Sequence, residues 1–103
     1  MATRRREVIW SRRARDELDE AVAYIAKDSP QRALVFLESA LSTAESLDQL
    51  TERGRIVPEL NDPDVRELFV YRYRLVYEVS ESRATVLGFL HGARDFNRWW
   101  HGE

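Results

Sequence analysis

Residues 54–95 read GRIVPELNDPDVRELFVYRYRLVYEVSESRATVLGFLHGARD, and their alternation decides the fold. Strand residues two apart share a face, so Tyr73, Leu75, Tyr77 and Val79 point one way while Arg74, Val76 and Glu78 point the other. A sheet built this way can bury one face and display an arginine on the other. Around this strand the pattern predicts a short strand at 55–58, a turn at Asn61-Asp62-Pro63-Asp64, a strand at 65–71, and a further strand at 84–90 after a connection at 80–82. Connections this short predict antiparallel pairing.

Upstream the period changes. Residues 7–10 read as a strand, and Ser11 stands where a helix N-cap belongs. Ala14, Leu18, Ala21, Val22 and Ile25 then form one apolar stripe that runs out near Lys27. Ser29-Pro30 restarts a helix, with serine as cap and proline at the first helical position, where its missing N–H is harmless. Ala33, Phe36, Leu37, Ala40, Leu41, Ala44, Leu47 and Leu50 follow at helical spacing, with Gly54 as the expected stop. The two helices are so close in sequence that they form an antiparallel hairpin. The fold class is therefore α+β: a helical hairpin packed on a mainly antiparallel, twisted sheet, in the order β-α-α-β-β-β, with an aromatic C-terminal tail, Phe96-Asn97-Arg98-Trp99-Trp100.

A chain of 103 residues suits one domain, residues 1–103, able to bury roughly 60–70% of its unfolded surface. The absence of cysteine excludes disulfides and thiolate metal sites, and two histidines make a poor zinc set, so neither a metal nor a cofactor is expected. No apolar run reaches the ~20 residues of a membrane span, and Arg4, Arg5 and Arg6 lead into a strand rather than a signal sequence, so the expectation is a cytoplasmic protein without a membrane partner. The net charge of −2 hides a segregation: residues 1–15 are basic, residues 16–52 strongly acidic, and the remainder balanced. Such a chain lacks a global field for nucleic acid, so any contact with it must be local, through sheet arginines and the amino-terminal arm.

The order strand, two helices, then a run of strands, with the motifs GRIVPEL, YRLVYEV and LHGARD, resembles the RelE/ParE superfamily, the toxins of bacterial type II toxin–antitoxin modules. The resemblance spans about Val8 to Asp95 and implies a cognate antitoxin as partner, with operator DNA engaged only through that antitoxin. It also implies a target. Members of the ParE branch bind and poison DNA gyrase without catalytic chemistry of their own, and the long hairpin and HGARD ending look most like that branch. The alternative is a ribosome-dependent mRNA endonuclease of the RelE type, with ribosome and mRNA as partners. A third reading is a degenerate member kept as an interaction module.

For the nuclease, the resemblance assigns Glu59 in VPEL as general base, Arg74 in YRLVYEV as the scissile-phosphate contact, and His91 in LHGARD as general acid. Attack of an RNA 2′-hydroxyl on the adjacent phosphate needs such a base, cation and acid together at one sheet surface. Two features favour the gyrase binder instead: the acidic balance of the chain, and a C-terminal segment carrying Phe96, Trp99 and Trp100 where nucleases place a tyrosine. In that reading Arg74, Arg94, Arg98, Trp99 and Trp100 contact the target, while Phe36, Leu37 and Leu41 on the second helix contact the antitoxin. On residue chemistry alone, Arg74 could instead pair with Glu67 or Glu78, and Arg94 with Asp95 could form a local ion pair that fastens the tail.

Overall fold

The computed structural model describes residues 5–102, so Arg4 of the amino-terminal arm lies outside the described residues. The chain runs β1 (Glu7–Trp10), α1 (Arg12–Ala26), α2 (Pro30–Glu45), two 3-10 turns, β2 (Arg55–Ile56), β3 (Val65–Val70), β4 (Tyr73–Val79), β5 (Arg83–His91) and α3 (Phe96–Trp100). The five strands form one sheet in the order β1-β5-β4-β3-β2. Four strands, β2 to β5, meander antiparallel, and β1, which precedes the helical hairpin, lies at the edge parallel to β5.

Both helix starts are capped as the sequence requires. Ser11 Oγ accepts from the amide of Ala14 at 3.0 Å, and Ser29 Oγ accepts from that of Arg32 at 3.2 Å. The buried helical residues are mostly small, namely Ala14, Leu18 and Ala21 on α1 and Ala33, Phe36, Ala40 and Ala44 on α2. Small side chains let the helices lie close on each other and on the sheet. α2 stops at Glu45, short of the expected run; Leu47, in the 3-10 turn that follows, is fully buried, whereas Leu50 is 55% exposed.

Gly54 is not a helix stop. Its φ is −81°, open to any residue. What it supplies is room, because a Cβ there would lie 2.5 Å from Tyr77 Oη and 2.6 Å from the Glu67 carbonyl. The backbone can then donate to the buried Tyr77 hydroxyl at 3.0 Å, while that hydroxyl donates to the Thr51 carbonyl at 2.6 Å.

The sheet is covered on both faces. Leu75, Tyr77, Val70, Ala84, Val86 and Phe89 pack with the helical hairpin, and Tyr73 joins them at the edge. On the reverse face Val57, Val65, Val76 and Leu90 pack under Phe96 and Trp99 of α3. The expected display of an arginine on an open face is thereby corrected: α3, which the sequence pattern left as a tail, covers that face at Arg74, while Phe69 at its β3 side stays 53% exposed. A bulge makes room for the helix. The β4–β5 register slips beside Val76, so that Val86 and Phe89, three apart, share the hairpin face while Leu87 and Leu90 share the other. Gly88 lies at the slip, and a Cβ on it would sit 1.8 Å from Trp99 Cζ2. Glycine is what lets the indole lie flat on the strand.

Among the described residues no helix is long and apolar enough to cross a membrane, and no cluster of histidine or carboxylate side chains is arranged to hold a metal ion.

Candidate functional site

The reverse face carries a closed ion network. Register places Arg74 opposite Phe69 on β3, two residues from Glu67 and on the same face, and the segment after β2 brings Glu59 to its other side. Arg74 donates from Nε to Glu67 Oε1 at 2.5 Å, and from Nη1 and Nη2 to the two oxygens of Glu59 at 3.0 and 2.7 Å. Arg55 completes the chain, donating to Glu67 Oε2 at 2.7 Å. The Arg74 guanidinium lies 4.6 Å from the ring centre of Phe96, which roofs it. Arg74 is 6% exposed and Glu67 1%. Every buried side-chain polar atom among the described residues has a partner. Charge bonded this fully at low dielectric is a fixed structural element.

The network sets the chemistry of its members. The bidentate Arg74 fork holds the Glu59 carboxyl below the usual carboxylate range, outweighing the opposing effect of burial. Both carboxylates raise the guanidinium pKa still further above its already high value, so Arg74 stays charged. A carboxylate made less basic, with both oxygens engaged, is a weak proton acceptor.

His91 is elsewhere. In the β4–β5 register it is opposite Tyr73, while Arg74 is opposite Leu90. Its ring meets Tyr73 edge-on at 5.3 Å, on the hairpin side of the sheet, and its Nδ1 accepts from the Ala93 amide at 3.1 Å. The expectation of Glu59, Arg74 and His91 at one sheet surface is therefore corrected: the first two are joined, and the third projects from the opposite face. Strand alternation, which puts neighbours 73 and 74 on opposite sides, is the reason.

The C-terminal residues divide into buried and free. Trp99 is 1% exposed, and its Nε1 donates to Glu17 Oε2 at 2.6 Å, tying α3 to α1. The same carboxylate accepts from the Phe89 amide beside the bulge at 3.0 Å and lies within 3.5–3.6 Å of Arg94 and Arg13. Arg13 also stacks over the Trp99 ring at 4.3 Å. Arg94 thus pairs with Glu17 rather than with Asp95, whose side chain caps α3 by accepting from the Arg98 amide at 3.1 Å. Arg98 is exposed, and half-buried Trp100 stacks on Phe96 with centroids 5.9 Å apart. Of the amino-terminal arm, Arg5 pairs with Asp48 at 3.8 Å and Arg6 donates to the Ser80 carbonyl at 2.8 Å.

At the opposite end an apolar groove of about 640 Å³ opens between the hairpin and the β3–β4 turn, lined by Tyr24, Ile25, Gln31, Arg32, Val35, Phe36, Tyr71, Arg72, Tyr73 and His91. Of the three residues assigned to antitoxin contact, Phe36 is 4% exposed and forms the groove floor, Leu37 is half-buried against the core, and Leu41 is 43% exposed. Sequence reasoning missed Tyr24, Arg32, Val35, Tyr71 and Arg72. The expected strand at 65–71 stops at Val70, and the break at Arg72 was the available signal for a turn there.

A family model described as the ParE toxin of the type II toxin–antitoxin system parDE matches residues 8–96. Among solved structures, the chain is similar to one from the chromosomal ParDE toxin–antitoxin system of P. aeruginosa, with a TM-score of 0.69 at 21% identity, covering 85% of this chain and 97% of that one. At that identity the likeness speaks for the fold. No curated protein matches.

Proposed function

The chain belongs to the ParE toxin family of type II toxin–antitoxin systems, and from that premise we propose that it arrests growth by binding DNA gyrase and is neutralised by a cognate antitoxin. The reading is of a binder rather than a nuclease. The observation that carries it is the division of Glu59 and Arg74 from His91 by the sheet itself. A 2′-hydroxyl attack needs its base and acid on either side of one phosphate, and side chains on opposite faces of a sheet do not meet that geometry. The segregated, slightly acidic charge of the chain supports the same reading, because affinity for phosphates grows with the number neutralised.

Within this reading the exposed Arg98 and half-buried Trp100 are the C-terminal residues open to the target. Arg94 and Trp99 act by holding α3 in place, and Arg74 acts from beneath Phe96. Leu41 and the groove floored by Phe36 form apolar surface for an antitoxin segment that folds as it binds.

The test is induction of the toxin without antitoxin, followed by pulse labels for DNA and protein synthesis. Early loss of DNA synthesis with a damage response is expected. Early loss of protein synthesis with cut mRNA overturns the binder reading in favour of the nuclease, and unimpeded growth marks a degenerate member.

A further inference from the structure

One turn position holds a residue that its backbone conformation does not favour. Tyr71 and Arg72 form the two-residue loop between β3 and β4, flanked by the paired Val70 and Tyr73. Tyr71 has φ +53°, in the left-handed region that glycine and asparagine tolerate and a bulky aromatic residue rarely enters. The other left-handed non-glycine residue among the described ones is Asn61, where the conformation is ordinary. Tyr71 does not hide its ring in exchange for the strain. It is 65% exposed and meets Phe36 only obliquely at 5.8 Å. A two-residue hairpin loop requires a positive φ at its first position, so the turn fixes the conformation; that a tyrosine with an exposed ring fills it, rather than glycine or asparagine, is a choice the turn does not ask for.

The surroundings indicate which ligand. The groove beside Tyr71 contains Arg32, Arg72 and His91 and no carboxylate. Most described arginines of this chain have an ion pair or a side-chain hydrogen bond, including those at 5, 6, 13, 55, 66, 74, 83 and 94. Arg12, Arg15, Arg32, Arg72 and Arg98 have neither, and of these Arg32 and Arg72 share the groove, although the hairpin segment in which Arg32 lies is the acidic part of the chain. Two unpaired guanidiniums beside exposed Tyr24 (67%), Val35 (55%) and Tyr71 form apolar surface with cations on it.

We propose that Tyr71 and Arg72, with Arg32 across the groove, form a carboxylate-reading anchor point that selects an acidic, apolar peptide segment of the cognate antitoxin. Tyr71 supplies the apolar contact, held in place before binding, and the two arginines engage side-chain carboxylates of the segment. The proposal rests on the toxin–antitoxin reading above. It goes beyond it by placing partner specificity at the β3–β4 tip and the facing start of α2 rather than on Leu37 and Leu41.

The experiment measures affinity of the purified toxin for the protein encoded by the adjacent reading frame, together with the melting temperature of each toxin variant. Tyr71→Asn suits the left-handed backbone, so it is expected to melt within about 2 °C of wild type or above it while losing affinity at least about tenfold. Arg72→Glu and Arg32→Glu are each expected to lose a similar factor, whereas Arg15→Glu, at the far end of α1, retains wild-type affinity. If Tyr71→Asn and Arg72→Glu bind within twofold of wild type, the anchor assignment fails and the antitoxin reading stands. If Tyr71→Asn melts far below wild type, Tyr71 is a structural residue and the assignment again fails. If these variants keep the antitoxin but lose gyrase in pull-downs, the tip belongs to the target and the proposal is overturned. Failure of the wild-type toxin to bind the adjacent product removes the antitoxin reading and the anchor with it.

Discussion

On the α3 face of the sheet, Arg55, Glu67, Arg74 and Glu59 satisfy one another beneath Phe96, whereas at the groove end Arg32 and Arg72 stand unpaired beside Tyr24 and Tyr71. Both regions place arginine next to aromatic rings. They differ in whether the chain provides its own carboxylates. Where it does, the charges are withdrawn from solvent and become architecture. Where it does not, they remain available to another molecule.

The largest effect should come from breaking the closed region. Arg74→Ala leaves Glu67, with its fully buried side chain, facing only Arg55, and Glu59 without its fork. Removing one partner of a buried pair costs about 3–5 kcal/mol, a large part of the 5–15 kcal/mol that holds a typical domain together. Denaturant unfolding of Arg74→Ala is expected to show that loss. The double variant Arg74→Met with Glu67→Leu should recover much of it, since a buried ion pair is often replaceable by apolar side chains of similar size. Wild-type stability in Arg74→Ala, coupled with lost toxicity, would instead move Arg74 into the class of Arg72.

A smaller effect follows from the way α3 is seated. Gly88→Ala puts a methyl group where the Trp99 ring lies, and overpacking of that sort costs about 1–3 kcal/mol. Trp99→Ala removes the obstruction along with a buried indole. The two changes should therefore be strongly non-additive, the double variant being no less stable than Trp99→Ala alone. Additive losses in a double-mutant cycle would mean that Gly88 serves the bulge and not the indole.

How much of this could be read from the sequence differs between the regions in the same way. Tyr73–Val79 was legible to the residue, because its alternation is clean and both ends are marked. Ser11 and Ser29-Pro30 were legible because caps are local chemistry. The bulge was not, since residues 84–90, ATVLGFL, are apolar almost throughout and give no sign of a change of face. Once the bulge is missed, so is the seat of Trp99 on Gly88, and with it the burial of Arg74. α3 has five residues, too few for a helical period to show. Arg72 was visible as a break between strands, but Tyr71 read as the end of the 65–71 strand, which in fact stops at Val70, because a left-handed tyrosine has no signature in composition or spacing. Family resemblance supplied Glu59, Arg74 and His91 as a set, and it is the unseen bulge that divides them: an unbroken register from Val79 opposite Ala84 would put His91 opposite Arg72 on the Arg74 face, whereas the slip puts it opposite Tyr73.

The smallest expected effect is at His91, and it bears on the comparison most directly because this residue sits at the groove. Its ring is exposed and makes one edge contact with Tyr73, and its one side-chain hydrogen bond among the described residues is accepted from the nearby Ala93 amide. Surface substitutions of this kind stay within about 0.5 kcal/mol in stability. For a general acid the same change would cost ~10²–10⁴-fold in rate and abolish growth arrest. For a residue on the rim of a binding surface most truncations cost under ~1 kcal/mol. His91→Ala is therefore expected to fold, to melt with wild type and to arrest growth nearly as well, measured by colony counts after induction alongside thermal unfolding. A folded His91→Ala protein that no longer arrests growth would turn the groove from a recognition surface into a site of chemistry. The search for the base would then move to the hairpin side of the sheet, away from Glu59.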